Sequence, residues 1–527
     1  MNDVAYRKMN VNFDGKCQIM KPYAKYHSIW GKPNKKTTRA YLWLFVIMVA
    51  FPVSAAELPY LDYVRSSLDI LLEHGTDRYG KTHAPIFVSI LDVMSRNCPR
   101  EPAALDEAYR VTRRDRRNPA GANLLTDQPL IDVLHQVSNR TGDWKYAKAA
   151  DAYIAYYLEH LADEKGLIWW GWHRHYDVFT DKMTGHSGNH HEIHAIHDIY
   201  WDRLWAVNPD ATRKEIEACW RWHVIDKGTG EINRHGDGRR GCDFAMSSAS
   251  FIDAFAFLYG KTGDRIWLER ARLLEAYYYN RRNPDTDLFP DRPNAGIDRF
   301  DGGAFVTSIT GCYCRGLMNA WQRSGEDRFL ERAADYLLAY DKYAYDEETG
   351  KYFGALKLDG TVIPGPRTVG DYAQYEPRGH LNLWEPYVAG YQYPLYTAQA
   401  YARACALTKR PELLTAAKRF AGWLNQSPPG AVETAKTWYS PYTDGPGKQG
   451  TYAGKYGRAI LFYLQLYELT GKTTYLARAR KAADQAIEKL YVNGLFKGHP
   501  AKPYYEAIDG VGFLLQALIA LDGRKNN

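Results

Sequence analysis

Nine of the chain's sixteen histidines fall between residues 173 and 235: His173, His175, His186, His190, His191, His194, His197, His223 and His235. They lie in three strings. The first is Trp169-Trp170-Gly171-Trp172-His173-Arg174-His175. The second is Gly188-Asn189-His190-His191-Glu192-Ile193-His194, and the third is Glu231-Ile232-Asn233-Arg234-His235-Gly236-Asp237. Imidazoles this dense beside carboxylates are the raw material of a metal centre or an acid–base site. A zinc helix of the type His-Glu-x-x-His fails, because Ala195 stands where the second histidine is needed. His190 and His194, spaced i,i+4, would share one helix face and need a third ligand from elsewhere. Glu192 and Asp237 would be the acid and base of a glycosidase. His173, Glu192 and His235, coming from three successive loops or helix ends, would offer two imidazoles and a carboxylate. That set suits a first-row divalent ion such as Mn²⁺, Co²⁺, Ni²⁺ or Zn²⁺ and not Ca²⁺, which takes oxygen ligands. The bland alternative is that these groups only satisfy one another on a partly buried helix.

Flat aromatic faces with a polar edge suit sugar rings as well as cores, and the chain has 41 Tyr and 15 Trp. Trp169, Trp170 and Trp172 are candidate platforms, although three Trp in so short a run must bury at least one. Tyr372, Tyr375, Arg378 and His380 sit in or beside a Gly/Pro-rich stretch, Gly360 to Arg378, that reads as a long rim loop.

The elements that would position these residues repeat. After residue 130 an amphipathic helix ends in a polar turn and a second helix follows. The turns are Thr141-Gly142-Asp143, Thr262-Gly263-Asp264, Ser324-Gly325-Glu326, Thr408-Lys409-Arg410 and Thr470-Gly471-Lys472. Gly263 to Gly325 is 62 residues, as is Lys409 to Gly471, and Gly142 to Gly263 is 121, about two units. Helical hairpins in such an array bury their faces on one another. The spacing predicts an all-α fold, an (α/α) toroid of six or seven hairpins, with short strands in rim loops that carry the aromatic and charged clusters.

Hydrophobic residues make up 45% and charged residues 24%, which excludes a disordered or collagenous chain. The net charge of +7 is confined to residues 1–56, with nine Lys/Arg against two acids. The remainder balances at 59 of each sign, so no nucleic-acid partner is expected. The apolar run Tyr41–Phe51, preceded by positive charge and followed by Pro52-Val53-Ser54-Ala55-Ala56, reads as a secretory leader spanning 1–56. Residues 57–527 are then expected to form one catalytic domain, periplasmic or secreted, with no membrane partner beyond the leader and as a monomer. The cysteines beyond the leader lack zinc spacing and are expected as buried free thiols.

The segment from Gly166 to Asp237 resembles polysaccharide lyase family 2, metal-dependent pectate lyases with an (α/α) barrel. The strings that carry the resemblance are Gly171-Trp172-His173-Arg174, His191-Glu192-Ile193, Val207-Asn208-Pro209 and Arg234-His235-Gly236-Asp237. The resemblance implies β-elimination on a 1,4-linked uronate polymer, pectate being the first substrate expected. It implies that His173, Glu192 and His235 hold the metal, Mn²⁺ first among the candidates, and that Arg234 takes the proton. It further implies a second arginine against the substrate, for which Arg292 and Arg299 are candidates. Trp172, Tyr375 and Arg378 are added as substrate-binding candidates from the aromatic and loop reading. Should arginine fail as a base, His175, His191 or Tyr200 would substitute. Asp237 is expected to orient His235 or Arg234.

Overall fold

The computed structural model describes residues 59–100, 121–171, 173–185, 190–196, 198–294, 303–364, 379–381, 383–384, 393–429 and 450–524. The leader region therefore lies outside the described residues, as do Trp172, Arg299, Tyr372, Tyr375 and Arg378. Residues 57–527 make one compact unit.

Fourteen α-helices organise the described chain: α1 (Pro59–His74), α2 (Gln128–Thr141), α3 (Lys145–His160), α4 (Trp201–Val207), α5 (Pro209–Trp222), α6 (Ala245–Thr262), α7 (Arg265–Tyr279), α8 (Cys314–Ser324), α9 (Asp327–Ala344), α10 (Pro394–Thr408), α11 (Pro411–Gln426), α12 (Ala453–Thr470), α13 (Thr473–Leu490) and α14 (Val511–Asp522). A π-helical turn, Ile309–Tyr313, leads into α8. Burial separates them into two rings. Helix α6 is buried without a break from Ala245 to Leu258, which is the pattern of a helix enclosed on all sides. Helix α9 instead buries Phe329, Ala333, Ala334, Tyr336, Leu337 and Tyr340, one face at helical spacing.

Contacts close the inner ring. Helix α6 packs on α8, the π-turn of α8 on α10, α10 on α12, α12 on α14, and α14 back on α2. Between α2 and α6 the loop before α4 completes the circuit. The Tyr200 amide donates to Gln128 Oε1 at 2.8 Å, and the Ala195 amide to the Met246 carbonyl at 3.2 Å. The chain ends also meet, Ile90–Asp92 pairing antiparallel with Tyr504–Glu506. This is the (α/α) toroid expected, with strands of two to four residues confined to its loops.

The repeat turns have one physical cause. Gly142, Gly263, Gly325 and Gly471 close helices α2, α6, α8 and α12 with φ of 78°, 71°, 72° and 68°, the left-handed cap that glycine adopts freely. Lys409 occupies the same cap at φ 63°, where a side chain is strained. Loops that follow each cap start the outer helix, and Asp264 caps α7 by accepting from the Ile266 amide at 3.1 Å. The cysteines from Cys98 to Cys405 are free, and five of the six are buried. Because every hairpin turns the same way, the N-terminal ends of the inner helices share one rim. The histidine-rich strings lie there, immediately before α4 and α6.

Lys409→Gly is expected to raise stability by about 0.5–1 kcal/mol, since the glycine removes left-handed strain greater than the entropy it costs. Gly263→Ala should lower stability by about 1 kcal/mol or more. Urea midpoints at constant slope check both.

Candidate metal centre

Two one-residue strand pairings assemble the site. Glu192 bridges in parallel to Gly171 and antiparallel to His235, so it lies between the other two strings. Gly171 is required at this crossing. It has φ +114°, and a Cβ there would stand 2.4 Å from the Glu192 carbonyl oxygen. Asn123 then locks the backbone that carries His173. Its Nδ2 donates to the Gly171 carbonyl at 2.6 Å and the Arg174 carbonyl at 3.1 Å.

The result is a converging donor set. His173, Glu192 and His235 each present one ligand atom, all within 4.8 Å of one another. Glu192 Oε2 lies 2.5 Å from His173 Nε2 and 3.6 Å from His235 Nε2. Glu192 Oε2 and His235 Nε2 are nonetheless buried and make no hydrogen bond of acceptable geometry. Two imidazole nitrogens and a carboxylate oxygen that face one point fit a divalent transition ion. The other oxygen, Oε1, takes His194 Nε2 at 2.6 Å and Arg234 Nε at 2.7 Å. Burial alone would push the Glu192 carboxyl up. Arg234, His194 and His173 outweigh it and hold the group well below the usual carboxylate range.

Two expectations are corrected here. The i,i+4 spacing of His190 and His194 predicts a helix face, but the segment is extended because Glu192 is drawn into bridges on both sides. His194 braces Glu192, while the half-buried His190 ring lies 5.0 Å from that of His235 and 6.3 Å from that of His173. Asp237 touches neither His235 nor Arg234. Its Oδ1 accepts from Asn233 Nδ2 at 2.5 Å, and Asn233 Oδ1 in turn accepts from the His235 amide at 2.7 Å. It acts on the ligand once removed.

Behind the donors runs a buried network that sequence reasoning missed. His223 Nδ1 lies 2.8 Å from the Asn233 carbonyl, which only accepts, so that nitrogen carries the proton. His223 Nε2 is then the acceptor for His191 Nδ1 at 2.7 Å. His191 Nε2 must accept in turn, and Glu215 Oε1 stands 3.0 Å away. Trp170 Nε1 also donates to His191 Nε2, at 3.1 Å, and a protonated Glu215 would supply a second donor to the same nitrogen. Burial pushes the Glu215 carboxyl up to about 8, against hydrogen bonds from the Ile168 amide and Trp170 Nε1. Burial likewise holds His191 and His223 well below the usual imidazole value. Glu215 projects from α5, whose start is capped by Asn208 with Pro209 behind it. The network thus ties an outer-ring helix to the loop of His235.

The remaining candidates are placed as follows. Trp170 is fully buried in this network, and Trp169 is half-buried with the Arg174 guanidinium 4.2 Å from its ring centroid. Arg292 is buried, its Cζ 4.6 Å from the Phe244 ring, and Arg234 stands 4.0 Å from the same ring. Those two guanidiniums therefore flank one aromatic beside Glu192. Among the substitute bases, His191 is occupied in the network. Burial lowers His175 to about 4. The Tyr200 hydroxyl accepts from Gln516, and burial raises its pKa. His380 pairs with Asp346 at 2.8 Å.

Comparison with known proteins adds an independent line. Residues 104–249 match the sequence model of the family described as periplasmic pectate lyase. A pectate disaccharide-lyase of Dickeya dadantii (strain 3937) is 28% identical over 32% of this chain. The match spans 36% of that enzyme's own length. The chain is pectate-lyase-like across the segment that carries the site. Among solved structures, a D-mannose isomerase aligns over 89% of this chain and 100% of its own, at 12% identity and a TM-score of 0.46. A family 76 glycoside hydrolase from a bovine Bacteroides thetaiotaomicron strain aligns over 88% and 77%, also at 12% identity and 0.46.

Glu215→Gln mimics the protonated acid and should fold. In the native chain the folded state keeps a proton on Glu215 that the unfolded state releases above about pH 5, so stability falls as pH rises toward 8, by roughly 2 kcal/mol between pH 6.5 and 8. His191 and His223 act oppositely, destabilising as pH falls below about 6.5. Denaturant unfolding across pH 6.5–8 should show a flatter slope for Glu215→Gln than for the native chain.

Proposed function

We propose that the protein is a secreted or periplasmic polysaccharide lyase that cleaves 1,4-linked uronate polymers, pectate first, by metal-assisted β-elimination. The observation that carries this reading is the convergence of His173, Glu192 and His235 beside Arg234, inside the pectate-lyase-like segment. The chemistry fits the need. The C5 hydrogen of a uronate lies beside an anionic carboxylate and is very weakly acidic. A divalent cation held by the three donors would neutralise that carboxylate as a Lewis acid. Mn²⁺ is the first candidate, then Co²⁺, Ni²⁺ or Zn²⁺.

Arg234 is the residue placed to receive the C5 proton while the C4–O bond breaks and a 4,5-unsaturated end forms. A guanidinium is ordinarily too weak a base. With its charge engaged by the cation, Glu192 no longer holds Arg234 in the charged form, which favours the neutral guanidine the role requires. The Arg234-His235 adjacency places base and ligand on one backbone segment. Arg292, across Phe244 from the same neighbourhood, is the described candidate for gripping the substrate carboxylate. Arg299, Trp172, Tyr375 and Arg378 keep their proposed substrate role on the sequence alone.

A hydrolase would use Glu192 or Asp237 as proton donor. The environment of Glu192 weighs against it, since three basic side chains hold that carboxylate ionised. Export is supported by the leader pattern and by the description of the matching family. Among the described residues no helix is long and apolar enough to cross a membrane.

The test is a screen of anionic polysaccharides for ultraviolet-absorbing unsaturated ends, with chelator and metal add-back. His235→Ala should lose bound metal and activity together. Arg234→Ala should retain metal, measured by elemental analysis, and lose activity by 100-fold or more. Full turnover in Arg234→Ala would remove it as the base, and reducing ends without absorbance would indicate a hydrolase.

A further inference from the structure

The inner ring holds a second arginine whose surroundings are incomplete. Arg458 projects from the second turn of α12 and is 7% exposed. Its Cζ stands 4.0 Å from the ring centroid of Tyr396, in the first turn of α10, and 4.0 Å from that of Phe513, in the first turn of α14. The side chain is thus pinned between two inner helices at the rim that carries Glu192. Nη1 donates to Gln399 Oε1 at 3.2 Å. Nε and Nη2 are buried and make no hydrogen bond among the described residues. Those two nitrogens form one edge of the guanidinium, the edge whose parallel N–H groups match the two oxygens of a carboxylate.

A buried charge with an unmet donor pair is costly. Asp198 supplies opposite charge nearby, its carboxyl being held low by Arg315 and Arg458, but no described residue bonds the Nε and Nη2 edge. Tyr396 links it toward the site: its ring also meets Arg315 Cζ at 5.0 Å, and Arg315 donates to the Ala195 carbonyl. Ala195 lies three residues from Glu192, no more than about 11 Å along even an extended chain. The inner helices also direct their N-terminal amide ends, partially positive, at this rim.

We infer that Arg458 forms a second carboxylate subsite among the first turns of the inner helices, gripping through Nε and Nη2 a uronate of the bound polymer other than the one being cleaved. The inference rests on the lyase reading for its substrate and adds recognition of a neighbouring uronate. Such a contact would make the enzyme select runs of free carboxylate over methyl-esterified stretches.

The experiment compares native protein with Arg458→Met and Arg458→Lys, using trigalacturonate and its methyl ester in calorimetry and tetragalacturonate in the ultraviolet assay. Arg458→Met should weaken trigalacturonate binding and raise KM 10-fold or more, with kcat changed less than threefold and metal content unchanged, whereas a packing defect would lower kcat and thermal stability together. Arg458→Lys should recover only part of the loss, because an ammonium lacks the fork. Unchanged binding and KM in a folded Arg458→Met overturns the subsite. If that variant fails to fold, the native protein and Arg458→Lys decide: equal affinity of native protein for trigalacturonate and its ester, or a preference undiminished in Arg458→Lys, overturns the subsite, and a 10-fold or larger preference for the free acid that is reduced in Arg458→Lys sustains it. Failure of the lyase reading is distinct. It would appear as native protein that binds trigalacturonate through Arg458 yet forms no absorbing product.

Discussion

A single fully buried carboxylate, Glu192, fixes the geometry of everything around it. An ionised group with no access to water must be surrounded by positive charge and donors. Here the fold supplies His194 and Arg234 on one oxygen and the imidazoles of His173 and His235 on the other side. The backbone of Glu192 is held as tightly as its side chain, paired to Gly171 and His235 at once. Residue 171 must be glycine for that approach, and Asn123 must clamp the next turn of chain. Under the proposed function, a donor displaced by about 1 Å would be enough to spoil coordination or proton transfer.

The scaffold divides labour between helices and loops. Inner helices such as α6 and α14 are buried on nearly every side, and they close the ring by packing on one another and, between α2 and α6, through hydrogen bonds of the loop before α4. Polar groups are collected where the chain leaves regular structure, so the loops take on the hydrogen-bonding needs of buried charge. The chain from Glu215 through His191 and His223 to Asn233 connects these two worlds. It runs from an outer helix to the loop of His235, and the Asn233 carbonyl at its end fixes which nitrogens of His223 and His191 carry protons. Such supporting bonds fix the orientation of ligands that would otherwise swing freely.

Much of this was legible in the residues. The left-handed glycine caps have a local cause, so the 62-residue spacing of hairpins could be read directly. The His173, Glu192 and His235 strings were legible because their residue types are rare together. The helix expected for His190 and His194 failed because i,i+4 spacing describes a helix only when the backbone is free to adopt one, and here strand pairing with distant Gly171 and His235 overrides it. Asn123 and Glu215 gave no signal. Each is one polar residue among many, and its importance arises from partners about 50 positions away. Arg458 was equally silent, since a lone arginine in a helical pattern ordinarily reads as a solvated face.

Where a folded chain leaves buried donors or acceptors unmet, it carries a local cost of a few kcal/mol at each. Such departures from self-consistency concentrate at working sites. Glu192 Oε2, His235 Nε2 and the open edge of Arg458 are departures of this kind, all near the same end of the inner helices. Their chemistries are complementary to different parts of one molecule. The first two call for a cation, and a cation beside a uronate calls for its carboxylate. The third calls for a carboxylate directly. A polymer carrying an acid on every ring, with a divalent ion under one of them, satisfies all three at once, whereas a neutral glycan would leave the Arg458 edge unmet.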